Sequence, residues 1–174
     1  GEGHITVVAD LTVASDLDNV FGVISEKIHG IVFAAGITKT VPVKFINQEL
    51  IDSVFETNTL SSFKLIQKIL RKKKMHRQGS IVFISSISTS YADIGNSIYA
   101  ASKGALNSFS KVLALESAPL GIRSNCIQPG FVPTSMLSVG VVTLEQLEEE
   151  RKNYPLGFGE ATDIANGVIY LLSD

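Results

Sequence analysis

The chain has 174 residues, about one domain's worth, and 45% of them are apolar against 18% charged, a balance that excludes a disordered chain and gives enough material for a sizeable core. A formal net charge of -2 supplies no basic surface for nucleic acid or an acidic membrane, and no apolar run reaches the roughly 18 residues of a membrane span. The single cysteine, Cys126, sets aside internal disulfides and reads as a small core residue, while His4, His29 and His76 lack ligand spacing, so no metal site is expected.

The first residues, 1–5, resemble no secretory signal, and a cytoplasmic protein is expected. Residues 5–9, ITVVA, form a β-branched run ending in Asp10, which predicts a buried strand with a polar group at its carboxyl end. Over residues 15–28, Leu17, Val20, Phe21, Ile24 and Ile28 recur at the 3.6-residue period, so a helix capped by Ser15 is expected. IVFAAG, 31–36, predicts a strand buried on both faces. A loop through Thr38, Lys39 and Pro42 leads to Asn47, a good cap for a long helix from Gln48 to about Met75. Asn58 falls in mid-helix, where its amide competes for backbone bonds; it is either a solvent-facing residue or one with a specific task. The basic run 71–74 reads as a solvated helix end.

SIVFI, 80–84, predicts the next strand, followed by a helix from Ser97 or Ile98 to about Ser117 that Pro119 and Gly121 stop. Residues 122–127 form another apolar strand, broken by Pro129 and Gly130. The stretch 131–159 reads as a flap with a charged helical patch at 143–152, and Thr162 caps a last helix to about Leu172, with Ile164, Val168, Leu171 and Leu172 on one face. Strands alternating with long helices predict right-handed crossovers and a mostly parallel sheet covered on both faces. In that architecture Asp10, Ala34 to Gly36, Ser85 and Ser86, and Pro129 and Gly130 fall along one edge, where ligands bind.

Tyr99 and Lys103 lie four residues apart on one helix face. They are either a surface pair or an acid-base pair in which the lysine charge lowers the tyrosine pKa from about 10. Further features accompany them: YAASK at 99–103, Ser86 thirteen residues before Tyr99, Asn58 within ETNTLSSF, IRSNCIQPGFVPTSM at 122–136 and YPLGFGEATDIANGVIYLLSD at the end. In this combination and order the chain resembles the short-chain dehydrogenase/reductase family, most closely its 3-oxoacyl-[acyl carrier protein] reductase type, over nearly its whole length.

The resemblance implies a Rossmann-type doubly wound α/β domain over 1–174 and an oxidoreductase that transfers hydride between NAD or NADP and a carbonyl or alcohol, as in fatty acid biosynthesis. It implies that Tyr99 is the acid-base group, that Ser86 positions the substrate oxygen, and that Lys103 binds the nicotinamide ribose and holds down the tyrosine pKa. Asn58 would keep a water in a proton relay to Lys103. For the cofactor, Asp10 would read the adenine amino group beside a backbone contact at Leu11, Ala35 and Gly36 would approach the ribose, and Val132 and Thr134, after Pro129 and Gly130, would meet the carboxamide. The substrate would be a small or acyl-carrier-bound carbonyl compound, and the two long helices, about 48–75 and 98–117, would pair subunits into a homo-oligomer, tetramer or dimer. Alternatives are a sugar-alcohol or steroid-type dehydrogenase, or a non-catalytic piece acting only in association.

Two departures stand out. The family's NNAG positions read Phe33, Ala34, Ala35, Gly36, which removes two bracing amides and is expected to affect stability more than chemistry. The family's glycine-rich turn has no counterpart among these residues, so the sheet is expected to lack the family's first two strands and its last. The sequence is then expected to represent part of a longer enzyme, and a protein truly this short is expected to bind dinucleotide poorly. The residues that separate NAD from NADP belong to the same stretch.

Overall fold

A computed structural model describes residues 3–134, 148–149 and 151–173. The elements in chain order are α1 (Ala14–Gly22), β1 (Ile28–Phe33), α2 (Gln48–Phe55), a π-helical segment (Glu56–Leu60), α3 (Ser61–Arg71), β2 (Met75–Ile84), α4 (Ser97–Ser117), β3 (Arg123–Ile127) and α5 (Ala161–Leu172). Among the described residues the strands form one parallel sheet in the order β1-β2-β3. Parallel neighbours cannot be joined by a tight turn, so each crossover carries helices.

The central strand β2 divides the molecule. Its residues Ile81 and Phe83 are fully buried in a core with Leu17 of α1, Ile66 and Ile69 of α3, and Leu106 and Leu113 of α4. Burying a side chain of this size stabilises the fold by about 1.5–3 kcal/mol. Ser80 points the other way, as strand alternation requires, and donates its hydroxyl to the carbonyl of Leu171 at 2.7 Å. That bond seats α5 on the opposite face, so the expected sheet with helices on both sides is the one observed. Phe33, in the position of an expected bracing amide, stacks on Phe83 with ring centroids 5.0 Å apart.

Several element ends follow the sequence reading. Asn47 caps α2, its side chain accepting from the Leu50 amide at 2.9 Å. After α4, a 3-10 turn containing Pro119 closes on Gly121, whose φ of 70° a side chain would disfavour. Along α5 the half-buried apolar residues are the four predicted. The cap differs: Glu160 and Asp163, rather than Thr162, form a reciprocal capping box, in which the Glu160 amide donates to the Asp163 carboxylate at 2.8 Å.

Other expectations are corrected. Residues 5–9 form no strand, and Ile5 and Val8 are 75% and 99% exposed. A β-branched run becomes a strand only beside a partner, and no described strand lies next to this one. The first helix begins at Ala14 without a side-chain cap and ends at Gly22; Ile24 packs on the core from a loop, and Ile28 opens β1. β1 lies three residues earlier than predicted because Ile28 pairs with Met75 and Phe33 with Phe83, leaving residues 34–36 beyond the sheet. The single long helix is two α-helices joined by the π-helical segment, and it ends at Arg71 because Met75 is already in β2. The basic run turns the chain between them: Lys73 has a φ of 54°, and the Lys74 ammonium donates to the Ser25 carbonyl at 2.7 Å. The strand predicted at 80–84 begins five residues sooner. Much of the expected flap and its helical patch, including 143–147, lies outside the described residues.

Two histidines distant in sequence meet across the sheet: His29 and His76 stack at 4.0 Å. No cluster of metal-ligating side chains exists among the described residues, and no described helix is long and apolar enough to cross a membrane.

Candidate active site

Beyond their last paired residues β2 and β3 remain joined: the Ser85 amide donates to Ile127 at 2.8 Å and the Ile87 amide to Pro129 at 2.9 Å. This pairing sets Ser86 beside Pro129 and Gly130. The chain then makes one 3-10 turn over Ile87–Thr89, with the Ser86 hydroxyl accepting from the Ser88 amide at 3.2 Å. Facing that turn, α4 presents Tyr99 and Lys103 one helical turn apart, with the Ser86 side chain near enough to the Tyr99 phenol to act on its pKa. Lys103 is only 3% exposed. Its ammonium donates to the Ile84 carbonyl at 2.8 Å and sits 5.8 Å from the centre of the Tyr99 ring. Ser85 fastens α4 to the strand end, donating from its hydroxyl to the Lys103 carbonyl at 3.1 Å.

Electrostatics here are set mainly by removal from water. Burial pushes the Tyr99 phenol above its ordinary 10, with the Ser86 hydrogen bond acting in the opposite direction. The direction is the reverse of the one expected from the lysine charge, because desolvation of a would-be phenolate is the larger influence. Burial likewise brings Lys103 from 10.5 down to about 8. A phenol that keeps its proton at neutral pH is a proton donor in waiting.

Asn58 resolves the question of an amide in mid-helix. It lies in the π-helical segment, 2% exposed, which excludes the solvent-facing alternative. Its Oδ1 accepts from the Ile37 amide at 2.7 Å, and its Nδ2 donates to the Ile37 carbonyl at 2.9 Å and to the Ser102 hydroxyl at 3.0 Å. One side chain thus clasps both backbone groups of the loop after β1. π-helical turns are often found where a helix residue is turned towards a site. Gly36 occupies the space between: a Cβ there would stand 3.1 Å from the Lys103 nitrogen and 3.4 Å from Asn58 Oδ1.

These groups open on a cavity of about 960 Å³, within the range of small-molecule sites. Its walls are Ala35 and Gly36 after β1, Ser86 after β2, Tyr99 and Lys103 of α4, Pro129, Gly130, Val132 and Thr134 after β3, and the apolar face of α5. A floor of backbone and small side chains, with the buried Lys103 cation and the Ser86 and Tyr99 hydroxyls in its wall, could hold the ribose and nicotinamide half of a dinucleotide. Asp10 and Leu11 do not line it. The Asp10 carboxylate instead accepts from the Thr12 amide at 2.9 Å and the Thr12 hydroxyl at 2.7 Å, which hold its pKa below the usual value, and Leu11 packs against the core. Cys126 is half-buried against that core, with its thiol 3.6 Å from the Leu106 carbonyl.

Two contributors, Ser102 and Ile37, were not read from the sequence, and Ser85 was placed on the edge without a role. Ser85 and Ser102 each adjoin or lie within a recognised motif, so their hydroxyls were a usable signal. Ile37 acts through its backbone, which no side chain announces.

Comparison with known proteins identifies the family. The family model described as short chain dehydrogenase matches residues 1–140. The chain belongs to the short-chain dehydrogenase family. This short-chain dehydrogenase is 35% identical to the 3-oxoacyl-[acyl-carrier-protein] reductase of Bos taurus over 178 residues, covering 99% of the chain and 72% of that relative. The FabG reductase of the same name from Haemophilus influenzae is also 35% identical, with 100% of the chain and 72% of the relative covered. Among solved structures, a short chain dehydrogenase family protein from Francisella tularensis superposes with a TM-score of 0.92 at 32% identity, covering 100% of this chain and 76% of that one. A 4-hydroxyisoleucine dehydrogenase complexed with NADH gives 0.86 at 27% identity, covering 97% and 71%. As a member of this family the protein is an oxidoreductase that uses a nicotinamide cofactor, NAD or NADP.

Proposed function

We propose that this short-chain dehydrogenase reduces the keto group of a 3-oxoacyl chain carried on acyl carrier protein. The observation that carries the reaction type is that Ser86, Tyr99 and a buried Lys103 line one cavity together. The 3-oxoacyl substrate is supported by the names of relatives 35% identical over almost the whole chain.

In this reading Tyr99 delivers its phenolic proton to the substrate oxygen while Ser86 donates a hydrogen bond to the same oxygen and fixes its place. Hydroxyls aimed at a growing oxyanion stabilise the transition state more than the ground state. Lys103 holds the ribose hydroxyls and returns a proton to Tyr99, with Asn58 supporting the relay through its grip on the Ile37 loop. The nicotinamide group, when bound, supplies the hydride. Ala35 and Gly36 line its ribose, Pro129, Gly130, Val132 and Thr134 its carboxamide, and Asp10 and Leu11 take the adenine end. The same reading makes the protein a cytoplasmic homo-oligomer; the exposed Val112 and Leu115 on α4 offer an apolar stripe for a second copy, Leu115 being 77% exposed.

The test is consumption of NADPH or NADH by the purified protein with acetoacetyl coenzyme A, alongside Tyr99→Phe. Turnover by the wild type, reduced about 10²–10⁴-fold in the variant, is expected, since that is the usual contribution of a proton donor. A wild type whose melting temperature neither cofactor raises would overturn the reading, and turnover confined to a sugar alcohol or a steroid would replace the substrate.

A further inference from the structure

We propose that Asn107, acting through Thr89, is a positioning residue of this site: together they hold Ser86 in register with Tyr99. The inference rests on the reaction assigned above, and it concerns two residues that do not touch the cavity.

The connection is a relay of two hydrogen bonds. The Asn107 Nδ2 donates to the Thr89 hydroxyl at 3.0 Å, and that hydroxyl donates to the Ser86 carbonyl at 3.0 Å. Thr89 has one hydroxyl proton; its other neighbour, Gln128 Oε1, is farther at 3.4 Å. With the proton committed to Ser86, the Thr89 oxygen can only accept from Asn107, which fixes the amide's orientation. Asn107 follows Lys103 by one helical turn and Tyr99 by two, so the same face of α4 that presents the proton donor also reaches across to the turn that presents Ser86.

That turn also determines what Ser86 can do. Its hydroxyl oxygen accepts from the Ser88 amide at 3.2 Å and from the Ser88 hydroxyl at 2.9 Å. Both lone pairs are then engaged, and the remaining O–H is free to donate to Tyr99 or to a substrate oxygen. Any slip of Ile87–Thr89 relative to α4 alters this arrangement. The Asn107 Oδ1 is buried with no hydrogen-bond partner in the protein, so the amide is held through its Nδ2 bond to Thr89.

The experiment is a phenolate titration of the purified protein, with Tyr99→Phe subtracted to isolate Tyr99 from the remaining tyrosines. Asn107→Ala and Thr89→Val are expected to raise the Tyr99 pKa by about 0.5–1 unit, the value of one neutral hydrogen bond. Thr89→Ser, which restores the hydroxyl, is expected to titrate like the wild type. Ser110→Ala removes a different bond between α4 and β3, to the Ser124 hydroxyl at 2.8 Å, and is expected to lower the melting temperature with no change in the titration. An unchanged titration in Asn107→Ala and Thr89→Val, or an equal shift in Ser110→Ala, overturns the proposal. In turnover with NADPH and acetoacetyl coenzyme A, Thr89→Val is expected to lose about tenfold in kcat with KM for NADPH unchanged, as for a lost transition-state contact of about 1.4 kcal/mol. A wild type inactive in that assay removes the assigned reaction, while the titration still decides whether Asn107 positions Ser86.

Discussion

Lys103 shows how far individual residues are held away from their solution behaviour. An ammonium with 3% of its surface exposed, brought down to about 8, is protonated at neutral pH only against the cost of its burial. The unfolded chain keeps the ordinary 10.5, so between pH 8 and 10.5 the unfolded state binds more protons and the folded state gains relative stability as pH rises. Below pH 8 the penalty is present in full. Lys103→Met is therefore expected to be inactive yet more stable than the wild type at pH 7, with an advantage that shrinks as pH climbs through that window. Urea midpoints at pH 7 and pH 10 measure both effects; a variant less stable at pH 7 would show that the bond to the Ile84 carbonyl outweighs the burial cost.

At the scale of elements, the π-helical segment matters most to the site. It turns Asn58 inward, and the amide satisfies both backbone groups of Ile37. Asn58→Ala leaves two such groups unpaired, and at about 1–3 kcal/mol each the urea midpoint is expected to fall measurably while the far-ultraviolet spectrum keeps its helical form. Asn58 was legible as an anomaly, because an amide in mid-helix is a poor local choice, but the extra residue in the turn was not, since apolar period cannot distinguish one long helix from two joined out of step. The limits of α4 were readable almost to the residue, with Pro119 and Gly121 acting as local signals. Tyr99 and Lys103 were legible as a pair through their spacing, and Ser86 only through the family resemblance. Thr89 and Asn107 were not, because their roles depend on two chain segments meeting in space.

Across the whole molecule the sheet governs where order is strongest. β2 is flanked on both sides and buried through Ser80 to Phe83, whereas β1 and β3 are the edges of the described sheet. Amide hydrogen exchange is expected to be slowest at Ile81 to Phe83, intermediate along β1, and rapid over residues 5–9. Protection at 5–9 equal to that of β2 would mean that this run is paired in solution. Its misreading has a physical origin: Ile5 to Ala9 have the composition of a strand, but pairing is decided by a neighbour that local sequence cannot supply.

Parallel pairing also has a consequence in time. Ile31 meets Ile81, and Ile81 meets Ser124, so every rung of the sheet joins residues some forty to fifty positions apart. No part of it can start as a local hairpin, and the entropy of closing two long crossovers precedes any return from pairing. Helices α3 and α4 can form early, while the aligned strand ends that bring Ser86 to Tyr99 exist only after both crossovers close. During refolding, helical circular dichroism therefore returns before the Ser86–Tyr99 contact, and the chain acquires its shape before it acquires its chemistry.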